Sequence, residues 1–196
     1  IAHMRNAHTI IKVGGAQGSH GIKTSSGKSW AFSQFGCGTF EGVRTHISKR
    51  FVVDPVALAT WEAVELQKLG VSDPLSLVTV SKDALCSTVF HMAASRLREL
   101  LYRDNPRGTI GSGVGQAYRL NESHPELSIH IRDLKSSDLR DKLIAIQRYY
   151  RDQFQESFDE IDRFQMIDFK HLADCQLILN KEQVVDVTHD LLCQVS

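Results

Sequence analysis

The sequence predicts an α/β protein in which a mostly parallel central sheet is flanked by helices. Two short apolar stretches, residues 9–13 and 75–80, have the length and the apolar character of buried strands. A helical pattern lies between them, and glycine-rich segments interrupt the chain at residues 13–21 and 108–118. Strands that alternate with helices across such loops are typical of the α/β class.

The first fifty residues predict strands and loops. Residues 9–13, Thr-Ile-Ile-Lys-Val, predict a short buried strand that runs directly into the stretch VGGAQGSHG at residues 13–21. Residues 23–50 are rich in Ser, Gly and Thr with isolated aromatic residues, so we expect further strands and loops there.

A helix and a second strand are predicted next. Asp54 is a favourable N-cap, Pro55 suits the first helical position, and the apolar stripe that follows predicts a helix that Gly70 ends. The continuous apolar run at residues 75–80 predicts an inner strand of the parallel sheet. A second helix is expected over about residues 84–102.

The second half of the chain is predicted to be mainly helical. The glycine-rich segment GTIGSGVGQAY spans residues 108–118, and apolar residues spaced by three and four predict a long helix over 137–158. We expect another helix near 168–179, a short strand at 184–187 and a last helix that starts at Thr188.

Composition narrows the function classes. The 196 residues contain 23 basic and 23 acidic side chains, and a net charge of zero argues against a nucleic-acid-binding surface. No apolar run approaches the length of a membrane span, and we expect neither a signal peptide nor a membrane anchor. The four cysteines are scattered without a C-x-x-C pair, so we expect reduced thiols in a cytoplasmic protein.

Both glycine-rich segments offer clustered backbone N–H groups that suit an anionic ligand. Neither has the spacing of a Walker A loop or of the dinucleotide fingerprint, and tight turns are an alternative reason for the glycines. His20 lies in the first segment, and a histidine side chain can donate or accept a proton near neutral pH. The alternative is an imidazole that only hydrogen-bonds the backbone. The histidines show no spacing typical of a metal site.

Five segments, taken in order, resemble the adenylosuccinate synthetase family. The family carries a strand followed by G-G-x-N-A-G-H-T, and KVGGAQGSHG at residues 12–21 occupies that place. VVDPVAL at 52–58 resembles V-V-x-x-P-x-x-L, and FHMAASRLRE at 90–99 resembles Y-H-x-A-x-D-x-x-R-E. GTIGSGVGQAY at 108–118 resembles G-T-T-G-[KR]-G-I-G-P-A-Y, and VVDVTHDLL at 184–192 resembles V-V-D-V-S-x-L-L. The resemblance covers almost the whole chain and implies the central portion of this family's P-loop-type domain.

The resemblance implies a GTP-dependent ligase of purine nucleotide biosynthesis that joins IMP and aspartate, or a related nucleotide and amine. In the family, the 6-oxygen of IMP is phosphorylated and the amine then displaces phosphate, with the loop histidine as general acid. That role falls to His20, and the backbone carbonyl of Ser19 takes the place of a Mg²⁺ ligand. The implied substrate-binding residues are Gly14, Gly15, Gln17, Thr109, Ile110 and Gly111.

The sequence departs from the family at the nucleotide phosphate. The second threonine of the family motif is replaced by Ile110, its basic residue by Ser112 and its proline by Gln116. The family's A-R-R-G segment, whose arginine reaches the IMP phosphate across a dimer, is replaced near residues 124–127. The phosphate loop G-D-E-G-K-G-K and the guanine-recognising T-K-x-D are not among these residues, and we expect a further segment or a partner chain to supply them.

Three interpretations of these departures remain open at the level of sequence. The first is a divergent ligase that uses Mg²⁺ and GTP, binds an IMP-like purine nucleotide, and acts as a homodimer or with a partner chain. The second is a catalytically lapsed homologue that binds a nucleotide or a partner, and the third is a plain interaction domain. In each case we expect residues 1–196 to form a single partial domain with a helical subregion at about 84–163.

Overall fold

A parallel sheet organises the first part of the chain in the computed structural model, which describes residues 6–23, 27–102, 105, 107–163, 169–179 and 182–196. The described strands are β1 (Thr9–Gly15), β2 (His20–Lys23), β3 (Ser29–Phe32), β4 (Arg44–Val53), β5 (Val78–Val80) and β6 (Leu85–Cys86). Strands β1, β5 and β6 all pair with β4 in parallel, whereas β2 and β3 form an antiparallel hairpin. The prediction of an α/β fold with a mostly parallel sheet is therefore confirmed.

Strand β1 confirms a strand over residues 9–13 and extends it through two glycines. The prediction that this strand is buried is wrong, because Ile11 and Val13 are 65% and 63% exposed on a strand at the end of the strand order. Its register with β4 shifts between Lys12 and Gly14, where β4 contributes extra residues and bulges. Gly14 has φ +102°, a conformation that glycine adopts without strain. Gly14 thus allows β1 to continue its pairing with β4 after the change of register.

The predicted first helix is also confirmed. Asp54 caps it, because its carboxylate accepts a hydrogen bond of 3.0 Å from the N–H of Ala57. A π-helical turn at Ala57–Glu62 leads into α1 (Ala63–Lys68), and Gly70, at φ +106°, ends the helix. The helix packs its buried side on the aromatic residues of the sheet and of the segment after β3. The core shared by these elements consists of Phe32, Phe35, Ile47, Phe51, Val53, Leu58, Ala63, Leu66 and Ala84.

The prediction of an inner strand over residues 75–80 is wrong in its first half and in its position. Leu75–Leu77 is a 3₁₀ turn after Pro74, and only Val78–Val80 is a strand, at the end of the strand order. The side chain of Asp73 accepts a hydrogen bond of 3.4 Å from the N–H of Ser76, and the Ser76 hydroxyl returns one of 2.8 Å to the Asp73 carbonyl. These local bonds favour the turn over an extended chain.

Five helices make up most of the second part of the chain that the structure describes. They are α2 (Val89–Leu101), α3 (Val114–Ser123), α4 (Leu139–Arg163), α5 (Phe169–Leu179) and α6 (Glu182–Gln194). The predicted helices at 137–158 and 168–179 are confirmed. Helix α2 begins five residues later than predicted, because Leu85–Cys86 pairs with β4 and Thr88 then caps the helix. In this described part of the chain, no helix combines the length and apolarity that crossing a bilayer demands.

The prediction of a strand at 184–187 is wrong, and so is the prediction of a helix that starts at Thr188. Both stretches lie inside α6, where Val185, Thr188 and Leu192 are buried at a helical spacing. The Thr188 hydroxyl donates a hydrogen bond of 2.7 Å to the carbonyl of Val184, one turn earlier, instead of capping an N-terminus.

The chain folds into two units. The first comprises Ile1–Cys86, His130–Arg132 and Val195–Ser196, and the second comprises Ser87–Ile129 and Asp133–Gln194. The sheet and its helix belong to the first unit, and α2–α6 belong to the second. The two glycine-rich loops therefore lie in different units, and each is described within its own.

Candidate functional site

The first loop, residues 16–19, continues the sheet for one residue and then turns back. The N–H of Ala16 donates a hydrogen bond of 3.1 Å to the carbonyl of Val52 in β4, so the chain stays attached to the sheet beyond Gly15. The N–H of Gly18 donates to the carbonyl of Gly15 over 3.3 Å and closes a turn. Residues 16–19 thus project from the carboxyl end of β1, the edge at which open α/β sheets bind their ligands.

His20 lies where this loop enters the hairpin, as the first residue of β2 opposite the buried Phe32. Its side chain is exposed, and its ring has no hydrogen bond to any described residue. A Cβ built at Gly18 or at Gly21 meets no atom within 4 Å. The imidazole is therefore held on a short strand and flanked by open space, so a ligand can reach it.

Lys12 places a buried amine near the base of the first loop. Its Nζ lies 6.0 Å from the centroid of the Phe51 ring. Burial lowers the pKa of Lys12, and the nearby charges of Glu62 and Cys37 oppose that change. The sequence analysis missed this residue, although a lysine inside an apolar strand is an unusual choice that could have indicated it.

Glu62 fixes the segment that follows the hairpin. Its carboxylate accepts backbone hydrogen bonds from Ser33 at 2.9 Å, from Gln34 at 3.0 Å and from Phe35 at 3.1 Å. Gln34 in turn exchanges two hydrogen bonds with the backbone of Asp54, at 2.9 and 3.0 Å. Sequence reasoning also missed Glu62. The signal was a carboxylate on the buried stripe of a helix, where it needs several donors.

The second loop is tied to helix α2 through its own residues. The N–H of Gly108 donates to the Glu99 carboxylate over 2.5 Å, and the hydroxyls of Ser95 and Thr109 lie 3.2 Å apart. The N–H of Gly111 donates to the Thr109 hydroxyl over 3.2 Å. Thr109 is therefore oriented by contacts on both sides before any ligand binds.

Arg96 holds the middle of the same loop. Its Nη1 donates to the carbonyl of Gly111 over 3.3 Å, and its Nε lies 2.7 Å from a carboxylate oxygen of Asp174 in α5. A further Arg96–Asp174 bond through Nη2 makes the pair bidentate. A Cβ on Gly111 would stand 2.6 Å from Cγ of Arg96, so the loop backbone lies directly on this side chain. The resemblance gave no role to either charged residue.

The loop ends at the N-terminus of α3. Gly113 is the N-cap at φ +77°, and the first helical residues are Val114 and Gly115. Backbone N–H groups at such a helix start favour an anion. Ile110 presents an apolar side chain that is 70% exposed, so it offers only its backbone to a ligand there.

A buried histidine fixes the start of α2 instead of serving a ligand. His91 is fully buried, and its Nδ1 accepts a hydrogen bond of 3.1 Å from the N–H of Thr88, which leaves the ring proton on Nε2. Burial lowers the pKa of His91 to about 3. This neutral imidazole stabilises the helix that carries the contacts to the second loop.

The residues that sequence analysis selected fall into two groups. One group shares the first loop and its junction with β2: Gly14, Gly15, Gln17, Ser19 and His20. The other group shares the second loop: Thr109, Ile110 and Gly111. In the described ranges, no cluster of three His, Cys, Asp or Glu side chains could hold a metal ion.

Fold and loops together define a class: an α/β protein with a parallel sheet and two glycine-rich loops whose backbones are suited to anionic ligands. The family model for adenylosuccinate synthetase matches residues 3–193, almost the whole chain. The chain belongs to the adenylosuccinate synthetase family.

Known relatives agree with this assignment. The chain is 32% identical over 123 residues to adenylosuccinate synthetase of Staphylococcus aureus (strain N315), and the aligned region covers 59% of this chain and 28% of the relative. It is 28% identical over 165 residues to that of Trichoplax adhaerens, over 82% of this chain and 36% of the relative. A structure described as fully ligated adenylosuccinate synthetase from Plasmodium falciparum matches all of this chain and 42% of its own, with a TM-score of 0.60 and 18% identity. The chain thus spans less than half the length of each of these relatives.

Proposed function

We propose that this chain forms part of a ligase of purine nucleotide biosynthesis, which joins IMP and aspartate, or a related nucleotide and amine, at the expense of GTP. The observation that carries the proposal is the placement of His20. Its ring is exposed beside a glycine-rich loop at the carboxyl end of β1, with open space above the two neighbouring glycines. Membership of the adenylosuccinate synthetase family supports the reaction class.

In the proposed reaction, the 6-oxygen of IMP attacks the γ-phosphorus of GTP, and the bond from that phosphorus to GDP breaks. The amine of aspartate then attacks C6, and the bond from C6 to the phosphorylated oxygen breaks with release of phosphate. His20 donates a hydrogen bond or a proton to the 6-oxygen while negative charge develops there. Gly14, Gly15 and Gln17 are proposed to contact the same nucleotide through the loop backbone and the Gln17 amide.

The second loop is proposed to hold the nucleotide phosphate. Thr109 offers a hydroxyl that is already oriented, and the start of α3 offers N–H groups. Ile110 and Gly111 are proposed to contribute backbone only. Because a hydroxyl and a basic residue of the family motif are replaced at positions 110 and 112, we expect weaker phosphate binding than in relatives that keep them.

Mg²⁺ and GTP are proposed as cofactor and co-substrate. Ser19 is an exposed residue, and its backbone carbonyl is proposed as a single Mg²⁺ ligand, since this ion normally keeps water and phosphate oxygens as its other ligands. When bound, Mg²⁺ would neutralise charge on the transferring phosphoryl group. The phosphate loop for GTP is proposed to come from a further segment or a partner chain, with a homodimer as the proposed assembly and the cytoplasm as the proposed location.

The test is turnover by the full-length protein that carries this chain. With IMP, GTP, Mg²⁺ and aspartate present, formation of adenylosuccinate is measured by chromatography for wild type, His20→Ala and His8→Ala. We expect His20→Ala to lower kcat by about 10²–10⁴-fold, the usual contribution of a general acid. His8→Ala is the matched control, because His8 is also exposed and lies before β1, away from the loop.

The results separate the proposal from its rivals. Wild-type turnover that His20→Ala leaves intact would show that His20 has no catalytic role. Binding of IMP without turnover in the full-length wild type would identify a lapsed homologue. A large loss in both histidine variants would point to instability rather than catalysis, and far-UV circular dichroism of each variant checks this.

A further inference from the structure

A cavity of about 400 Å³ opens between α2, α3 and α4, within the second unit. It contains neither His20 nor residues 108–113 of the second loop, and from the same glycine-rich segment it includes Gln116, which lies in α3. Its walls combine two arginines, two tyrosines and several neutral polar side chains. The residues used below are Arg98, Gln116, Arg119, Glu122, Tyr149 and Tyr150.

Arg98 reaches the cavity from α2 without a carboxylate partner among the described residues. Its Nη2 donates to the neutral amide oxygen of Gln153 over 3.0 Å, and its guanidinium lies 5.6 Å from the centroid of the Phe154 ring. Its Nε is buried and has no acceptor in this part of the structure. A buried N–H without an acceptor is costly, so the protein alone leaves this guanidinium incompletely satisfied.

Arg119 enters the cavity from α3, and it too forms no ion pair with a described residue. Glu122 also lines the cavity, yet it pairs with neither arginine in the described part of the chain. The cavity therefore contains two positive charges against one negative charge. An excess of arginine over carboxylate in a concave site attracts anions.

Tyr150 lines the same cavity as the two arginines. Its hydroxyl is buried and donates a hydrogen bond of 3.4 Å to the carbonyl of Gln116. Burial raises the pKa of Tyr150, while the positive charges of Arg98 and Arg119 both act to lower it. The two arginines therefore line one cavity and their charges act on the same hydroxyl, so both favour an anion bound there.

An aromatic wall completes the cavity. Tyr149 is held by edge contacts to His124, with ring centroids 5.1 Å apart, and to Tyr150 at 5.2 Å. Leu120 adds apolar surface on the α3 side. A ring fixed in this way offers a surface to a flat group that is attached to the anion.

We propose that this cavity binds a phosphate monoester of a planar ring, with the phosphate between Arg98 and Arg119 and the ring beside Tyr149. Planar guanidinium groups match the geometry of phosphate oxygens, and the cavity volume lies within the range of small-ligand sites. The site is separate from the loops of the proposed ligase. The proposal for this cavity does not depend on ligase activity of the chain.

The test is calorimetric titration of the 196-residue chain with phenyl phosphate and with inorganic phosphate at low ionic strength. We expect one phenyl phosphate site that Arg119→Gln weakens by about 10-fold or more, as loss of one charge-assisted bond predicts. Arg148→Gln is the matched control, because it removes one exposed arginine from α4 outside this cavity. Arg148→Gln should leave the affinity of the cavity unchanged, and Thr109→Val tests separately whether the second loop contributes to the observed binding.

A comparison of the two probes tests the proposed contact between the ligand ring and Tyr149. Phenyl phosphate should bind more tightly than inorganic phosphate, and Tyr149→Leu should remove that difference. Equal affinity for both probes would overturn the assignment of a ring. Equal weakening by Arg119→Gln and Arg148→Gln would show a bulk charge effect, and weakening by Thr109→Val alone would place the anion in the loop. Absence of binding to the wild type would also overturn the proposal.

Discussion

Substitution of Gly113 by alanine tests whether the second loop lies directly on helix α2. Gly113 has φ +77°, and a Cβ there would stand 2.8 Å from both the His91 carbonyl carbon and the Met92 nitrogen. Left-handed backbone costs about 1–2 kcal/mol for a residue with a Cβ. Crowding of backbone that cannot rotate away costs about 1–3 kcal/mol more, as in overpacked cores. We therefore expect Gly113→Ala to lower the free energy of unfolding by about 2–5 kcal/mol.

Two other glycines of the same segment separate these effects. Gly108 has φ +73°, but its Cβ would meet no atom within 4 Å, so Gly108→Ala should cost only the left-handed strain of about 1–2 kcal/mol. Gly115 lies in α3 in an ordinary helical conformation with open space around it. Gly115→Ala should stabilise the protein by up to about 1 kcal/mol, because alanine favours helix over glycine.

The assay is urea unfolding followed by far-UV circular dichroism for the wild type and the three variants. A shift of the midpoint at constant m-value reports a change in stability rather than in the unfolded state. If Gly113→Ala and Gly108→Ala lose the same stability, the close approach of the loop to α2 is wrong. If Gly115→Ala destabilises the protein, the start of α3 is not the unobstructed helix described above.

Buried groups lead to three more predictions. Burial lowers the pKa of His91 to about 3 in the folded protein, whereas an unfolded histidine has a pKa of about 6.5. Between these two pH values, only the unfolded state takes up a proton at this residue. Stability should therefore fall as pH decreases from about 6.5 toward about 3, by up to about 1.4 kcal/mol per pH unit from this residue, and urea midpoints of wild type and His91→Gln across that range check it. Asp174→Asn should destabilise the protein by about 3 kcal/mol, because it removes the charge that balances the partly buried guanidinium of Arg96. Thermal unfolding at neutral pH measures this loss, and an unchanged Tm would contradict the ion pair. Thiol labelling with a chromogenic disulfide should modify Cys37 and Cys193 in the native protein and the two buried cysteines only after unfolding, so rapid labelling of all four would contradict the described burial.

Local sequence signals predicted the elements that depend on neighbouring residues. Asp54 and Pro55 predicted the start of a helix because capping needs only a side chain and the next few N–H groups. The apolar spacing of the long helix predicted α4 for the same reason, and residues 9–13 predicted β1. The apolar pattern alone gave a wrong prediction at residues 75–80, where a polar side chain nearby favoured a different local structure. Asp73 stabilised a 3₁₀ turn in an apolar run.

The candidate site shows the same division. The glycine-rich loops and His20 were selected from the sequence because their composition limits what the backbone can do. Arg96, Asp174 and Glu62 were missed, because each acts on residues at least 15 positions away in the chain. A side chain that satisfies distant backbone groups leaves no short spacing to detect.

The sequence by itself determined the α/β class, the family and the glycine loops, since these follow from composition, periodicity and motifs along the chain. Only the tertiary structure decided that the two valines after Glu182 lie in a helix, because burial of one face at a spacing of three and four outweighed their β propensity. It also decided that two arginines without carboxylate partners among the described residues, from α2 and α3, line one cavity together with a tyrosine of α4. Charges separated along the chain become neighbours only when helices pack, and packing depends on the whole core rather than on any one segment.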